Sequence, residues 1–286
     1  MELLAGYSLL LLIPLIMPLH MGHGGELIHQ RIPRFLLHYI TKYEAFSMRA
    51  VQYVTTRDWI MRWSWAARAM EWICRLVLRF VNGEVLTLEE TKQVISAIAD
   101  HGYLVAVGTC PCRRARNKFS DDLPCNTDMV FGKWAEEYLR NYPECYEIID
   151  KEQALRLAEE FDRHGYVHNL YGAPVTRDAA LVICNCAPDV CVPLRVHCEL
   201  DYPTFHKGRA LVVVDDSACI GVDACGTCIQ RCPFKAREAG VDGKAVSHQD
   251  ACHGCGLCVS TCRGGASRLE RKPGAKLIFA RNLVEP

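Results

Sequence analysis

The sequence predicts an α+β protein in three parts: an N-terminal helical anchor, a small α/β domain rich in cysteine, and a C-terminal domain of short elements and glycine-rich turns. Three observations predict this. An apolar run, Leu3 to Leu19, is followed by a basic, tryptophan-rich stretch with helical character. Two helix–strand units then each lead to a Cys-x-Cys pair. Two runs of four cysteines close the chain's chemistry. The expected boundaries are 1–85, 86–205 and 206–286.

Composition narrows the function. The chain has 286 residues, half of them hydrophobic, so it can bury a real core. Lys+Arg and Asp+Glu are both 33, and zero net charge argues against a dedicated nucleic-acid binder. Seventeen cysteines are an odd number, so complete internal pairing is impossible. Their C-x-C and C-x-x-C spacings suit metal-bound thiolates in a reducing compartment.

The apolar run is at the lower limit for spanning a bilayer, and Pro14 and Pro18 would kink it. No Lys or Arg precedes it, so the n-region of a secretory signal is missing. From Arg31 to Val81 there are nine Lys/Arg against Glu44, Asp58 and Glu71, together with Trp59, Trp63, Trp65 and Trp72. Guanidinium suits phosphate headgroups and indole suits the boundary, so the stretch reads as an interfacial helix with the rest on the cytoplasmic face. The alternative is a helix docked on a larger protein. His20, His23 and His29 fit a polar hinge better than a metal site.

Thr87 to Glu90 fits a capping box for a helix ending near Gly102, and Tyr103 to Gly108 reads as a buried strand leading to Cys110 and Cys112. Asp150 and Gln153 fit a second capping box, for a helix ending at Gly165. Tyr166 to Leu170 follows, then a strand delivering Cys184 and Cys186. Both helices end in His-Gly-Tyr (His101-Gly102-Tyr103 and His164-Gly165-Tyr166), a weak internal repeat. Two thiolates one residue apart share a pocket, so Cys110, Cys112, Cys125, Cys184, Cys186 and Cys191 are candidate ligands of one upstream metal centre. Cys74 and Cys145 read as structural. Arg113, Arg114, Arg116 and Lys118 are a solvated loop, or compensate an anionic centre or dock an acidic partner. His168 is a buried, satisfied histidine or a proton donor to that centre.

The cysteine runs are Cys219-x5-Cys225-x2-Cys228-x3-Cys232-Pro233 and Cys252-x2-Cys255-x2-Cys258-x3-Cys262. The second has the bacterial C-x2-C-x2-C-x3-C spacing, and the first matches its last three cysteines and the proline. Zinc ribbons pair C-x2-C with a distant second pair, which these runs do not do. Residues 210–270 therefore resemble the bacterial-type ferredoxin domain with two 4Fe-4S clusters. By that resemblance Cys219, Cys225, Cys228 and Cys262 hold one cluster, and Cys252, Cys255, Cys258 and Cys232 hold the other. The chain departs in the five-residue spacer after Cys219 and in Arg263, which stands where the family has proline.

Residues 105–270 also resemble a family of multi-cluster ferredoxin-like proteins of anaerobic prokaryotes. The likeness rests on Cys110-Pro111-Cys112-Arg113, Cys125, Phe131-Gly132, Gly165-Tyr166-Val167-His168-Asn169 and Ile183-Cys184-Asn185-Cys186. After Cys186 the family's cysteine-dense run is reduced here to Cys191. A third iron–sulfur cluster is expected upstream, with zinc, or thiol redox chemistry and packing, as the alternatives. No Walker A loop and no Rossmann fingerprint is present.

These readings point to a membrane-associated, cytoplasm-facing electron-transfer subunit working with redox protein partners in a complex. One alternative is an iron–sulfur reductase with a substrate-accessible upstream cluster. Another is a structural subunit that recruits partners to the membrane.

Overall fold

The computed structural model describes residues 34–80, 82–172 and 181–275. The apolar run, the three N-terminal histidines and the tail from 276 lie outside the described residues. Among the described residues no helix is long and apolar enough to cross a membrane.

The chain enters through α1 (Arg34–Thr55), a single turn α2 (Asp58–Met61) and α3 (Ser64–Phe80). Helix α1 is a core element. Leu37 and Thr41 are buried on it, Tyr142 Oη donates to the Lys42 carbonyl at 2.6 Å, and Asn141 Nδ2 to Thr41 Oγ1 at 2.7 Å. The tryptophans remain outside: Trp59, Trp63, Trp65 and Trp72 are each about 60% exposed.

Strand β1 (Asn82–Leu86) leads into α4 (Leu88–Asp100), β2 (Val105–Gly108), the short α5 (Pro111–Arg116), β3 (Asp128–Phe131), α6 (Gly132–Asn141) and β4 (Tyr146–Ile148). Then come α7 (Lys151–His164), β5 (Val167–Gly172), β6 (Leu181–Cys186) and α8 (Val192–Leu200). Both capping boxes form: Glu90 N donates to Thr87 Oγ1 at 3.1 Å, and Gln153 N to Asp150 Oδ1 at 2.7 Å. Both His-Gly-Tyr ends turn alike, with Gly102 at φ 74° and Gly165 at φ 82°, where a side chain would be strained.

The six strands form one sheet in the order β1-β5-β6-β3-β2-β4, and every pairing is antiparallel. The weak repeat becomes visible here. Helix α4 with β2 and β3, and α7 with β5 and β6, are two helix–strand–strand units set back to back, β3 against β6. One sheet face packs on α4 and α7 through Ile95, Ile98, Ala158 and Phe161. The other carries Ala106, Val130 and Val182 beneath α1 and α6, with Leu37, Trp134 and Tyr138.

The C-terminal domain pairs β7 (Ala210–Val214) with β10 (Ser267–Arg271), and β8 (Arg237–Ala239) with β9 (Ala245–Ser247). Two single-turn helices, α9 (Thr227–Gln230) and α10 (Leu257–Ser260), each follow a left-handed glycine, Gly226 or Gly256. The domain is clamped to the sheet domain. Arg231 Nη2 caps the end of α7 through the Asp162 and Arg163 carbonyls, at 2.8 and 2.6 Å. Arg209 pairs with Glu90 at 2.9 Å in a buried contact.

Candidate metal centres

The eight cysteines of the C-terminal runs fall into two groups of four sulfurs, each taking three from one run and the last from the other. Cys219, Cys225, Cys228 and Cys262 line a single cavity. Cys232, Cys252, Cys255 and Cys258 lie within electrostatic reach of one another. The five-residue spacer after Cys219 does not displace that residue. It folds as a turn through Gly221 (φ 95°) and is pinned by Val222 N donating to the Gly243 carbonyl at 2.8 Å.

The groups differ in setting. Cys252, Cys255 and Cys258 are buried, whereas Cys219, Cys225, Cys228 and Cys262 are half-buried. Burial pushes the Cys258 thiol up to about 12 and raises Cys255 further. Cys225 is held below the ordinary thiol value by the Thr227 hydroxyl and by the Thr227 and Arg263 amides. At Cys262 burial works upward but is outweighed by hydrogen bonds from Ser267, Ala266 and Gly264, so this thiol too is lowered. Amide donors aimed at sulfur stabilise thiolate, the form that binds metal. Ala236 N likewise donates to Cys232 Sγ at 3.3 Å.

These residues fit an anionic iron–sulfur centre, and one buried group outside the runs says so independently. Arg237 is 4% exposed and borders the first cavity, yet its Nε and Nη1 have no protein partner. A buried cation with idle donors calls for buried negative charge beside it. Nothing in the sequence marked Arg237, because its position depends on how β8 folds back over the cysteines.

The upstream cysteines sort differently. Cys112 contacts both Cys110 and Cys191, and Cys191 also contacts Cys186. Cys184 lies near Cys186 and Cys110 and closes the circuit beside Asp128. Five of the six candidates therefore form a ring of sulfurs, with the Tyr171 hydroxyl within electrostatic reach of it. Cys125 stands apart, bonded to Ser120 N and the Ser120 carbonyl at 3.4 Å in its own loop. Among the described residues no three His, Cys, Asp or Glu side chains surround one preformed metal-ion position. The ring is open at the half-buried Cys110 and Cys184 and closed at the buried Cys112, Cys186 and Cys191. All 17 cysteines are free thiols.

Different elements build this ring. Cys110 is the N-cap of α5, with Pro111 at the first helical position where its missing N–H costs nothing. The first Cys-x-Cys pair thus sits at a helix start and not at a strand end. Cys184 and Cys186 lie within β6, two residues apart and so on one face. Cys191 is the N-cap of α8 and accepts from Leu194 N at 3.4 Å. The basic residues expected on a loop lie mostly on α5, and they bind the parts together: Arg116 Nη1 donates to the Asp189 and Val190 carbonyls at 2.9 and 2.8 Å, and Lys118 Nζ to Asp189 at 3.1 Å. His168 Nδ1 meets Asn185 Oδ1 at 2.6 Å on the opposite sheet face, away from the thiols.

Beside the open edge is a polar cluster that sequence reading missed. Tyr146 Oη donates to Asp128 Oδ2 at 2.6 Å, and Cys184 Sγ to Asp128 Oδ1 at 3.0 Å. Glu44 of α1 is pushed up to about 8 by burial and then by the Asp128 charge, with Arg114 opposing. The Arg114 guanidinium lies 3.9 Å over the Tyr142 ring.

Comparison with known proteins agrees with the C-terminal geometry. Residues 211–263 match the 4Fe-4S dicluster domain family. The chain is 35% identical over 94 residues to the B subunit of tetrathionate reductase from Salmonella typhimurium, covering 29% of this chain and 34% of that protein. It therefore spans about a third of that relative's length. It is 36% identical over 59 residues to an uncharacterized ferredoxin of Methanocaldococcus jannaschii, covering 21% of this chain and 94% of that protein. No solved structure matches significantly. With eight cysteines grouped four and four inside a matched dicluster domain, the chain belongs to the ferredoxin family through this C-terminal domain.

Proposed function

We propose that the protein is an electron-transfer subunit of a membrane-associated redox complex on the cytoplasmic face, in an anaerobic prokaryote. In this reading the two sulfur groups each hold a 4Fe-4S cluster and the upstream ring holds a third iron–sulfur centre. The observation that carries it is the pairing of two four-sulfur groups with a third thiol ring on one clamped scaffold. Helix α8 links them: Cys191 caps its start, and His197 near its end stacks edge-on to His253 at 4.7 Å, beside Cys252. Cys198 follows Cys191 by seven positions, about 10 Å along the helix axis. Cys198 in turn lies near Cys232.

Similarity to the B subunit of a reductase supports work inside a multi-subunit complex. The exposed tryptophans between Asp58 and Trp72, among Arg57, Arg62, Arg68 and Arg75, support a membrane surface or membrane subunit as the attachment site. A second reading, a reductase acting at the upstream centre, is favoured by the open Cys110–Cys184 edge and the acid cluster beside it. In that case Glu44 and Tyr146 would hold protons beside a bound substrate. Anaerobically isolated protein, reduced by dithionite, should show the EPR signals of reduced 4Fe-4S clusters and pass electrons to a one-electron acceptor. Protein that carries only zinc and bleaches no visible absorbance on reduction contradicts the proposal.

A further inference from the structure

Arg237 opens β8, five residues after Cys232. Among the described residues its one hydrogen-bond acceptor is Ser267 Oγ, at 3.0 Å from Nη2. Its Nε and Nη1 are buried and idle, and the guanidinium borders the cavity lined by Cys219, Cys225, Cys228 and Cys262. Its positive charge also acts on Cys232 and Cys258 of the other group. The neighbouring Arg231 is turned elsewhere, its Nη2 held by the carbonyl end of α7. One buried cation thus stands between the two sulfur groups with donors to spare.

We propose that Arg237 is the counter-ion shared by the two sulfur groups, donating its free N–H groups to the sulfurs of the clusters they hold and raising the reduction potentials of both. The inference rests on the reading that the eight cysteines hold clusters. Each reduction adds one electron from an external one-electron donor to a cluster and breaks no bond. The added negative charge is stabilised by a fixed cation and by hydrogen bonds to sulfur. Arginine suits this role because it stays charged, is weakly hydrated, and has a planar fork that can address two partners at once.

The test uses the full chain, isolated anaerobically, with Arg237→Gln and Arg237→Lys and an EPR-monitored redox titration with dithionite. Arg237→Gln is expected to keep its iron and sulfide while both midpoints move to more negative values. Arg237→Lys, which keeps the charge, is expected to shift less. In the unsubstituted chain labelled with nitrogen-15 arginine, pulsed EPR of the reduced protein should show coupling to guanidinium nitrogen that Arg237→Lys abolishes. Unmoved midpoints in a fully loaded Gln variant overturn the proposal, as does the absence of arginine coupling. If the Gln variant fails to assemble, the labelled chain decides alone. An unsubstituted chain without labile sulfide is a different result: it overturns the cluster reading itself.

Discussion

Cys184 and Asp128 face each other across adjacent antiparallel strands, and the thiol donates to the buried carboxylate at 3.0 Å. The carboxylate also receives the Tyr146 hydroxyl, so both of its oxygens are occupied although it is only 1% exposed. This pair ties the open edge of the thiol ring to the centre of the sheet. Replacing Asp128 with Asn puts an amide donor against a thiol or hydroxyl donor. In the metal-free protein Asp128→Asn should cost about 1–3 kcal/mol, read as a lowered midpoint of chemical unfolding. Because burial and then the Asp128 charge hold the Cys184 thiol up, removing that charge favours the metal-binding thiolate and should leave both the upstream metal and the C-terminal clusters in place. An unfolding midpoint equal to that of the unsubstituted protein, or loss of the upstream metal, would sink this reading.

Glu44 gives a pH dependence with a definite sign. Its folded value, about 8, lies above its ordinary carboxylate value, so the folded state holds the proton more tightly. The resulting stability is fully present below the unfolded value and is lost as pH rises toward 8. Unfolding measured between pH 5 and pH 8.5 should therefore show stability falling with pH, and Glu44→Gln should flatten the slope. An identical slope in the variant contradicts the assignment.

Gly254 sits at φ 72°, and a Cβ there would come within 2.2 Å of the Ala210 carbonyl oxygen. Both backbone strain and a backbone clash oppose any side chain. Gly254→Ala should weaken the seat of the second cysteine run on β7 and lower cluster incorporation. Wild-type iron content and wild-type melting would refute it.

Membrane attachment is checked by co-sedimentation of the full chain with vesicles. Phosphatidylglycerol vesicles should bind it at least tenfold more tightly than phosphatidylcholine vesicles, and the combined Trp59→Ala, Trp63→Ala, Trp65→Ala and Trp72→Ala variant should bind less. No binding to either vesicle points to a protein partner for this surface.

The legible parts of the sequence were those where spacing alone carries the chemistry. The runs ending at Cys232 and Cys262 declare themselves, and both capping boxes and both His-Gly-Tyr ends are local signals. Asp128 and Arg237 were not legible. Asp128 reaches Cys184 through the register of β3 on β6, and Arg237 reaches the cysteines through a folded-back hairpin; neither has a local signature. Cys125 satisfied a spacing pattern, but its loop closes on Ser120 instead of the ring. Helix α1 read as part of an anchor because its charge suggested a surface; its buried face became apparent only against the sheet.

Separate sulfur groups imply separable clusters. Cys255→Ser should lose the cluster of the second run and keep that of Cys219, Cys225, Cys228 and Cys262, halving the C-terminal iron. Loss of both, in a folded protein, would show that the groups do not assemble independently.

The most direct measurement of the central claim is iron and acid-labile sulfide per chain after anaerobic purification, combined with EPR of the reduced protein. Two 4Fe-4S clusters require about eight iron and about eight sulfide per chain, with further iron if the upstream ring is filled, and signals from interacting reduced clusters. Zinc in place of iron, with no labile sulfide and no signal on reduction, would contradict the account.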